Sequence, residues 1–155
     1  MRLKRTYSSR EVAALTGLSA RQLQLWDAGG LLASAIPSQR TAAGGYTERR
    51  YTPIDLFELL VLAELRGRGF TVHQLQTIVD NLEGRFDASL FEATGGGGDL
   101  QLLTDGERVY LRTARGDFYN LLETPAQPLL VVGNEGLLKE LSGKVKRKKG
   151  KRTAK

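Results

Sequence analysis

Cysteine is absent from this chain of 155 residues, and histidine occurs only once, at His73. Without cysteine there are no disulfide bonds and no thiolate metal ligands, a composition typical of proteins in a reducing cytoplasm. A single histidine is more often structural or exposed than a ligand, which argues against a transition-metal sensor of the usual kind. We therefore expect no metal site and a cytoplasmic location.

Long apolar runs are missing as well. No stretch of 18 or more apolar residues occurs, so we predict no membrane-spanning helix and no membrane partner. The first nine residues carry basic side chains without an apolar segment behind them, unlike a secretory signal. No nucleophile lies in a recognisable catalytic pattern, and the glycine run 95–98 lacks the lysine of a phosphate-binding loop. These absences point away from an enzyme and predict neither catalytic residues nor a cofactor.

Positive charge is distributed unevenly along the chain. Residues 1–85 carry 11 Lys and Arg against 8 Asp and Glu, residues 86–143 carry 4 against 9, and residues 144–155 carry 8 against none. The net charge is +6, and the C-terminal end accounts for it. Nucleic-acid binding must therefore be judged from where individual cations lie rather than from the total.

Two short helices are indicated near the start of the chain by their first residues. Ser8 with Glu11, and Ser19 with Gln22, have the spacing of a capping box, in which each side chain bonds the backbone of the other residue. Gly17 separates the two helices. Two short helices joined by a tight glycine turn predict a helix-turn-helix.

Two longer helices follow a polar segment that contains a glycine pair at 44–45. Brief strands near Ile36 and Tyr51 around this glycine tip would form a wing. Thr52 and Thr71 are predicted caps of the third and fourth helices. Their apolar faces are Leu56, Leu59, Leu60, Leu62, Ala63 and Leu65 in the third helix, and Leu75, Ile78, Val79 and Leu82 in the fourth.

The glycine run 95–98 marks a change in composition, and the region beyond it predicts a small antiparallel sheet. The predicted elements are strands at 100–104, 108–112, 118–122 and 129–132 and a short helix at 135–141. The apolar content of this region is modest, which indicates that it needs a neighbour to pack on.

We therefore predict an α+β fold in which a four-helix winged helix-turn-helix precedes the sheet. The predicted regions are a DNA-binding domain at 6–86, a Gly-rich linker at 87–98, a small β-rich dimerisation or effector domain at 99–143, and a disordered basic tail at 144–155.

Several motifs resemble those of MerR-family regulators, in the family's order and at nearly its spacing over residues 6–84. They are residues 7–19, Gly30-Leu31-Leu32, Gly45-Tyr46, Arg50-Tyr51 ahead of Asp55-Leu56, and Leu65-Arg66 followed by Gly69-Phe70. One branch of the family has a recognition helix of the form Arg-Gln-Leu-x-x-Trp, similar to residues 21–26, and a hairpin similar to residues 103–111. The resemblance implies a bacterial, nucleoid-associated protein whose second helix enters the major groove while the wing touches the backbone.

Two departures from the family pattern limit what the resemblance implies. Gln24 and Leu25 stand where many members have Arg and Tyr, so one phosphate contact of the family is not carried over to this chain. The long helix that pairs MerR protomers as a coiled coil is not predicted. The family's twisting of a promoter by a rigid dimer is therefore not carried over to this chain.

The predicted base contacts lie on the second helix and are Arg21, Gln22 and Gln24. On a helix, Leu23 and Trp26 share the inner face. Arg21, Gln24 and Leu25 lie on the opposite face, and Gln22 lies at the flank. Arginine pairs with guanine and glutamine with adenine in the major groove. The alternative is a solvated helix face.

The predicted backbone contacts lie at the first helix and in the wing, and are Ser8, Arg10, Arg40, Tyr46, Arg49, Arg50 and Tyr51. Guanidinium groups match phosphate oxygens, and a helix N-terminus at Ser8 offers amides and a hydroxyl to an anion. A solvated face is the alternative for the arginines, and packing under the wing is the alternative for the tyrosines.

The leading hypothesis is a sequence-specific transcriptional regulator that binds an inverted repeat of double-stranded DNA as a homodimer. RNA polymerase is a further candidate partner. One alternative is an architectural or recombination-accessory protein that bends DNA, as excisionases do. Another is an interaction module whose basic tail contacts RNA or another polyanion.

Overall fold

The computed structural model describes residues 3–32, 34, 36–37, 39, 41–45, 48–95, 98–129 and 139–145. The helices are α1 (Ser9–Thr16), α2 (Ala20–Ala28), α3 (Pro53–Gly67), α4 (Val72–Phe86) and α5 (Leu90–Thr94). The strands are β1 (Tyr7–Ser8), β2 (Arg50–Tyr51), β3 (Gln101–Thr104), β4 (Val109–Arg112), β5 (Phe118–Asn120) and β6 (Thr124–Leu129). Residues 139–145 are also helical. Within these ranges, no helix is long and apolar enough to cross a membrane.

Each of the helices α1 to α5 begins with a complete capping box. The four predicted caps are Ser8, Ser19, Thr52 and Thr71, and each side chain accepts a hydrogen bond from the backbone three residues later. Such reciprocal bonds satisfy two backbone groups that a helix start leaves open. The predicted starts of the first four helices are therefore confirmed.

The apolar faces of α3 and α4 form the centre of the core. The predicted stripe of α4 is buried along its length, from Leu75 to Leu82. In α3 the prediction is too broad, because Leu60 is 41% exposed. Leu15 of α1 lies three residues from the buried Val12 and Leu18, yet it is 56% exposed.

The wing differs from the two-stranded hairpin predicted between Ile36 and Tyr51. Ile36 forms a single antiparallel bridge with Arg50. Arg50 and Tyr51 form β2, which pairs with β1 at the start of the chain in the register Tyr7 to Tyr51. The wing is therefore attached to the segment that leads into α1.

The segment 87–98 is not only a linker, because its centre forms α5. The Ser89 hydroxyl accepts from the backbone N–H of Glu92, and Leu90 and Ala93 are buried. A Cβ on Gly95 would lie 2.5 Å from the Cζ atom of Phe57, so this glycine is held tightly against α3. Within the predicted Gly-rich linker at 87–98, residues 90–94 are thus helical and Gly95 packs on α3, while residues 96 and 97 lie outside the described part.

The C-terminal half contains an antiparallel sheet with the strand order β3-β4-β5-β6. The predicted hairpin is present, with Thr104 paired to Val109 and Gly106 in the left-handed region at φ 95°. Residues 130–132 of the last predicted strand lie outside the described residues, as do residues 135–138 of the predicted helix and 146–155 of the predicted tail. The helical residues 139–145 include the first two residues assigned to that tail.

The sheet packs on α4 and is not a separate body. Val109, Leu111 and Leu121 are fully buried in the same cluster as the side chains of α3 and α4. The Asn81 side-chain N–H donates to the Leu121 carbonyl over 2.7 Å, and the rings of Phe86 and Tyr119 meet edge to face at 4.9 Å. Burial of each such aliphatic side chain contributes about 1.5–3 kcal/mol.

Candidate nucleic-acid interface

The helices α1 and α2 are joined by a tight turn at Gly17. This residue has φ 76°, a left-handed conformation that glycine adopts without strain, and its N–H donates to the Ala13 carbonyl over 3.0 Å. Two residues later, Ser19 caps α2. The turn thus fixes the direction in which α2 leaves α1.

The two faces of α2 have different surroundings. Leu23 and Trp26 are 2% and 3% exposed, as their spacing predicts. The opposite face carries Arg21, Gln24 and Leu25, all exposed. A guanidinium, an amide and an isobutyl group therefore lie side by side on the solvent face of the helix.

Gln22 is occupied by the cap of its own helix. Its side-chain oxygen accepts from the Ser19 backbone N–H over 2.9 Å. Paired recognition of adenine needs both the oxygen and the amide nitrogen of a glutamine. The predicted role of Gln22 in base recognition therefore competes with the capping box, whereas Gln24 is exposed and outside the cap.

Asp27 connects α2 to the wing, a role that the sequence did not reveal. One oxygen of its carboxylate, Oδ2, lies 3.2 Å from Nη1 of Arg49, and the other accepts from the Ser34 N–H over 3.0 Å. The Asp27 and Arg49 side chains are 22% and 23% exposed. Arg49 was predicted to contact phosphate, and in the structure it also fixes the wing against α2.

Arg50 connects the wing to the start of the chain. Its Nη2 and Nε atoms donate to the Thr6 hydroxyl over 2.9 and 3.1 Å. Its Nη1 atom lies 3.7 Å from a carboxylate oxygen of Glu48. This predicted phosphate contact is therefore partly engaged within the protein.

Two of the predicted backbone contacts are buried. Tyr51 is 1% exposed, and burial raises the pKa of its hydroxyl. Ser8 is 9% exposed, and its hydroxyl and N–H are both used in the capping box with Glu11. The inferences that these two side chains reach phosphates are corrected, because the fold places both inside.

Arg10 is exposed on α1 and precedes Glu11, which pairs with Lys4. The Lys4 ammonium pairs with the Glu11 carboxylate, and this contact, together with the Ser8 N–H, lowers the pKa of Glu11. Glu11 is thus a capping group whose charge is partly offset. Arg10 and Arg21 are the cations that α1 and α2 present to solvent.

The tip of the wing contains a turn between Thr41 and Gly45. The Thr41 N–H donates to the Gly45 carbonyl over 2.6 Å, and the Gly44 N–H donates to the Thr41 carbonyl over 3.1 Å. Gly44 has φ 89°, which favours glycine. The predicted contacts Arg40 and Tyr46 border this turn and lie outside the described residues.

The arrangement of α1, the Gly17 turn, α2 and the attached wing defines a winged helix-turn-helix, a class of DNA-binding modules. Residues 7–82 match the model of the "MerR HTH family regulatory protein" family. The chain therefore carries a MerR-family helix-turn-helix domain, and the resemblance drawn from the motifs is confirmed.

Relatives with the same kind of domain are known from mycobacteria. Uncharacterized HTH-type transcriptional regulators of Mycobacterium bovis and Mycobacterium tuberculosis are 28% identical to this chain over 137 residues. The match covers 88% of this chain and 56% of each relative, so the chain spans little more than half their length. A crystal structure of a MerR-family transcriptional regulator from Bacillus cereus is similar at 26% identity and a TM-score of 0.39, covering 48% of this chain and 51% of that one.

Proposed function

We propose that this protein is a sequence-specific DNA-binding transcriptional regulator. The observation that carries the proposal is the outward face of α2 within a MerR-family domain, where Arg21 and Gln24 are exposed opposite the buried Leu23 and Trp26. Arg21 would read a guanine and Gln24 an adenine in the major groove. Arg10 on α1 would contact a phosphate beside the groove.

The wing has a supporting role in this proposal. Arg49 and Arg50 are fixed by Asp27 and Thr6, so their positions are set before DNA arrives. A guanidinium has five N–H donors, and the donors not used within the protein remain for a phosphate oxygen. Preorganised cations of this kind lose little side-chain entropy on binding.

We also propose that two copies bind an inverted repeat. Strand β3 lies at one end of the sheet, and no described strand pairs with its outer edge. The strand borders a groove of about 730 Å³, to which α3 contributes apolar side chains such as Leu60 and Val61 and the charged pair of Glu64 and Arg68. Antiparallel pairing of β3 across a two-fold axis would fill the groove and place two copies of α2 on one duplex. Contact with RNA polymerase belongs to the same proposal, because a regulator acts where transcription starts.

The decisive experiment is selection from random duplexes in about 0.15 M salt. The protein would end at residue 145, which keeps the helical residues 139–145 and removes the basic segment 146–155. We expect enrichment of an inverted repeat, and we expect Arg21→Ala to weaken binding by about 10- to 100-fold for each half-site, corresponding to about 1–3 kcal/mol per contact.

The matched control is Arg85→Ala, which removes an exposed cation near the end of α4, away from α2 and from the groove beside β3. It should leave binding unchanged. If no sequence is enriched and binding returns only with the full basic end, the protein does not read sequence and the polyanion-binding alternative leads.

A further inference from the structure

The reading face of α2 contains a large apolar side chain that the fold does not use. Leu25 is 56% exposed and follows Arg21 by four residues, so the two lie on the same face about one turn apart. Leu23 and Trp26 already supply the core contacts of this helix. Leu25 thus contributes little to folding, and its exposure leaves it available for a partner.

Leu25 lies near polar side chains that could bond the edge of a base. Arg21, one helical turn before it, and Gln24, the residue before it, are both exposed. Gln22 is tied to Ser19 by the capping box and is turned to the helix start. A DNA duplex meeting this face would therefore encounter one cation, one amide and one isobutyl group.

The C5 methyl of thymine is the apolar group that a base pair presents in the major groove. We propose that Leu25 is a specificity-determining residue that contacts this methyl group. Side chains one helical turn apart have Cβ atoms about 5–6 Å apart. Base pairs are stacked about 3.4 Å apart, so the thymine lies within about two base pairs of the guanine read by Arg21. This inference rests on the proposed function and makes it more specific.

Replacing thymine by uracil is the sharpest test, because it removes only the methyl group and leaves every hydrogen-bonding atom. In the duplex enriched by selection, each thymine of one half-site is exchanged in turn, and the affinity of the 155-residue chain is measured in about 0.15 M salt. We expect one position near the guanine to weaken binding about fourfold, the equivalent of about 0.8 kcal/mol for one buried methyl group.

Variants of two equally exposed leucines show which side chain causes the weaker binding to the uracil duplex. Leu25→Ala should bind the thymine and uracil duplexes equally. Leu15→Ala removes a leucine of α1 with the same exposed fraction, 56%, and should keep the wild-type response to uracil. Thermal unfolding of both variants checks that the fold is intact.

The failure of this inference differs from the failure of the proposed function. Leu25 does not contact a methyl group if the wild-type protein binds every uracil duplex as tightly as the thymine duplex, or if Leu25→Ala keeps the same fourfold loss. In either case, weaker binding by Arg21→Ala would still support base reading. If no duplex is enriched, α2 does not read bases, and both proposals fall.

Discussion

The Asp27 carboxylate connects α2 with the wing. Its two oxygens bind Arg49 and the Ser34 N–H, so a single carboxylate connects α2 with two points of the following segment. Asp27→Asn keeps an acceptor for Ser34 and removes the charge that pairs with Arg49. We expect the affinity for the selected duplex to fall about fivefold, which corresponds to about 1 kcal/mol for a partly exposed pair.

Non-specific binding should not fall in the same variant, because a released guanidinium is still attracted to phosphates. The ratio of specific to non-specific affinity is therefore the quantity to measure. Glu123→Gln is the control, since it breaks the exposed pair of Glu123 with Arg108 in the sheet and also removes one negative charge. An unchanged ratio in Asp27→Asn would show that the wing does not depend on this pair.

At the scale of single residues, the sequence predicted which side chains of α2 face out, because helical spacing determines this directly. It did not predict the partners of the wing arginines. Arg50 bonds Thr6, which lies 44 residues earlier in the chain. Contacts of this kind arise from the tertiary fold, and no local pattern contains them.

Among the elements, α5 is held on α3 by a partly buried acid. Glu58 accepts from the Phe91 N–H over 3.0 Å, and the rings of Phe57 and Phe91 meet edge to face at 5.6 Å. Burial raises the pKa of Glu58, and the nearby carboxylates of Asp55 and Glu83 raise it further, against the lowering effect of the Phe91 N–H.

A raised pKa in the folded state means that the protonated form of Glu58 favours folding. This contribution is complete below the unfolded pKa, near 4.5, and is lost as the pH rises through the folded pKa. Glu58→Gln keeps an acceptor and avoids burying a charge, so we expect it to be at least as stable as the wild type at pH 7. The difference in unfolding free energy should shrink towards pH 4.5.

Urea unfolding of both proteins between pH 4.5 and 7 measures this difference, and the other titrating groups cancel in the comparison. Glu64→Gln, an exposed carboxylate of the same helix, should show no such trend. Lower stability of Glu58→Gln at pH 7 would mean that the charge of Glu58 holds α5 more strongly than its burial opposes it.

The helix α5 also shows where prediction from sequence stopped. Its start has the same capping pattern as the other four, with Ser89 and Glu92 three residues apart. The neighbouring glycine run indicated a linker, and five residues are too few for a periodic apolar face to stand out. The tight contact between Gly95 and Phe57 makes one of those glycines structural, which composition alone does not reveal.

For the whole molecule, the outer edge of β3 is the surface on which the proposed dimer depends. Leu103 of this strand lines the groove beside α3. A lysine there would place a charge in the groove and oppose strand pairing, as charged edge strands do in other sheets. We expect Leu103→Lys to be monomeric in sedimentation equilibrium and to bind the inverted repeat at least tenfold more weakly, with binding to a single half-site preserved.

Leu129→Lys is the matched control, because Leu129 lies on the opposite end strand, β6, and is 41% exposed. This variant should remain dimeric. A dimeric Leu103→Lys protein would place the contact between copies elsewhere on the chain.

The continuous core that joins the sheet to α3 and α4 has a genetic consequence. Leu111 and Leu121 belong to the same cluster as Leu23 and Trp26, so the sheet and α2 depend on a shared interior. In a screen for loss of DNA binding, substitutions in the sheet would therefore be recovered together with those of α2, although the proposed base contacts all lie on α2. Measuring the amount of folded protein in each mutant would separate the two groups.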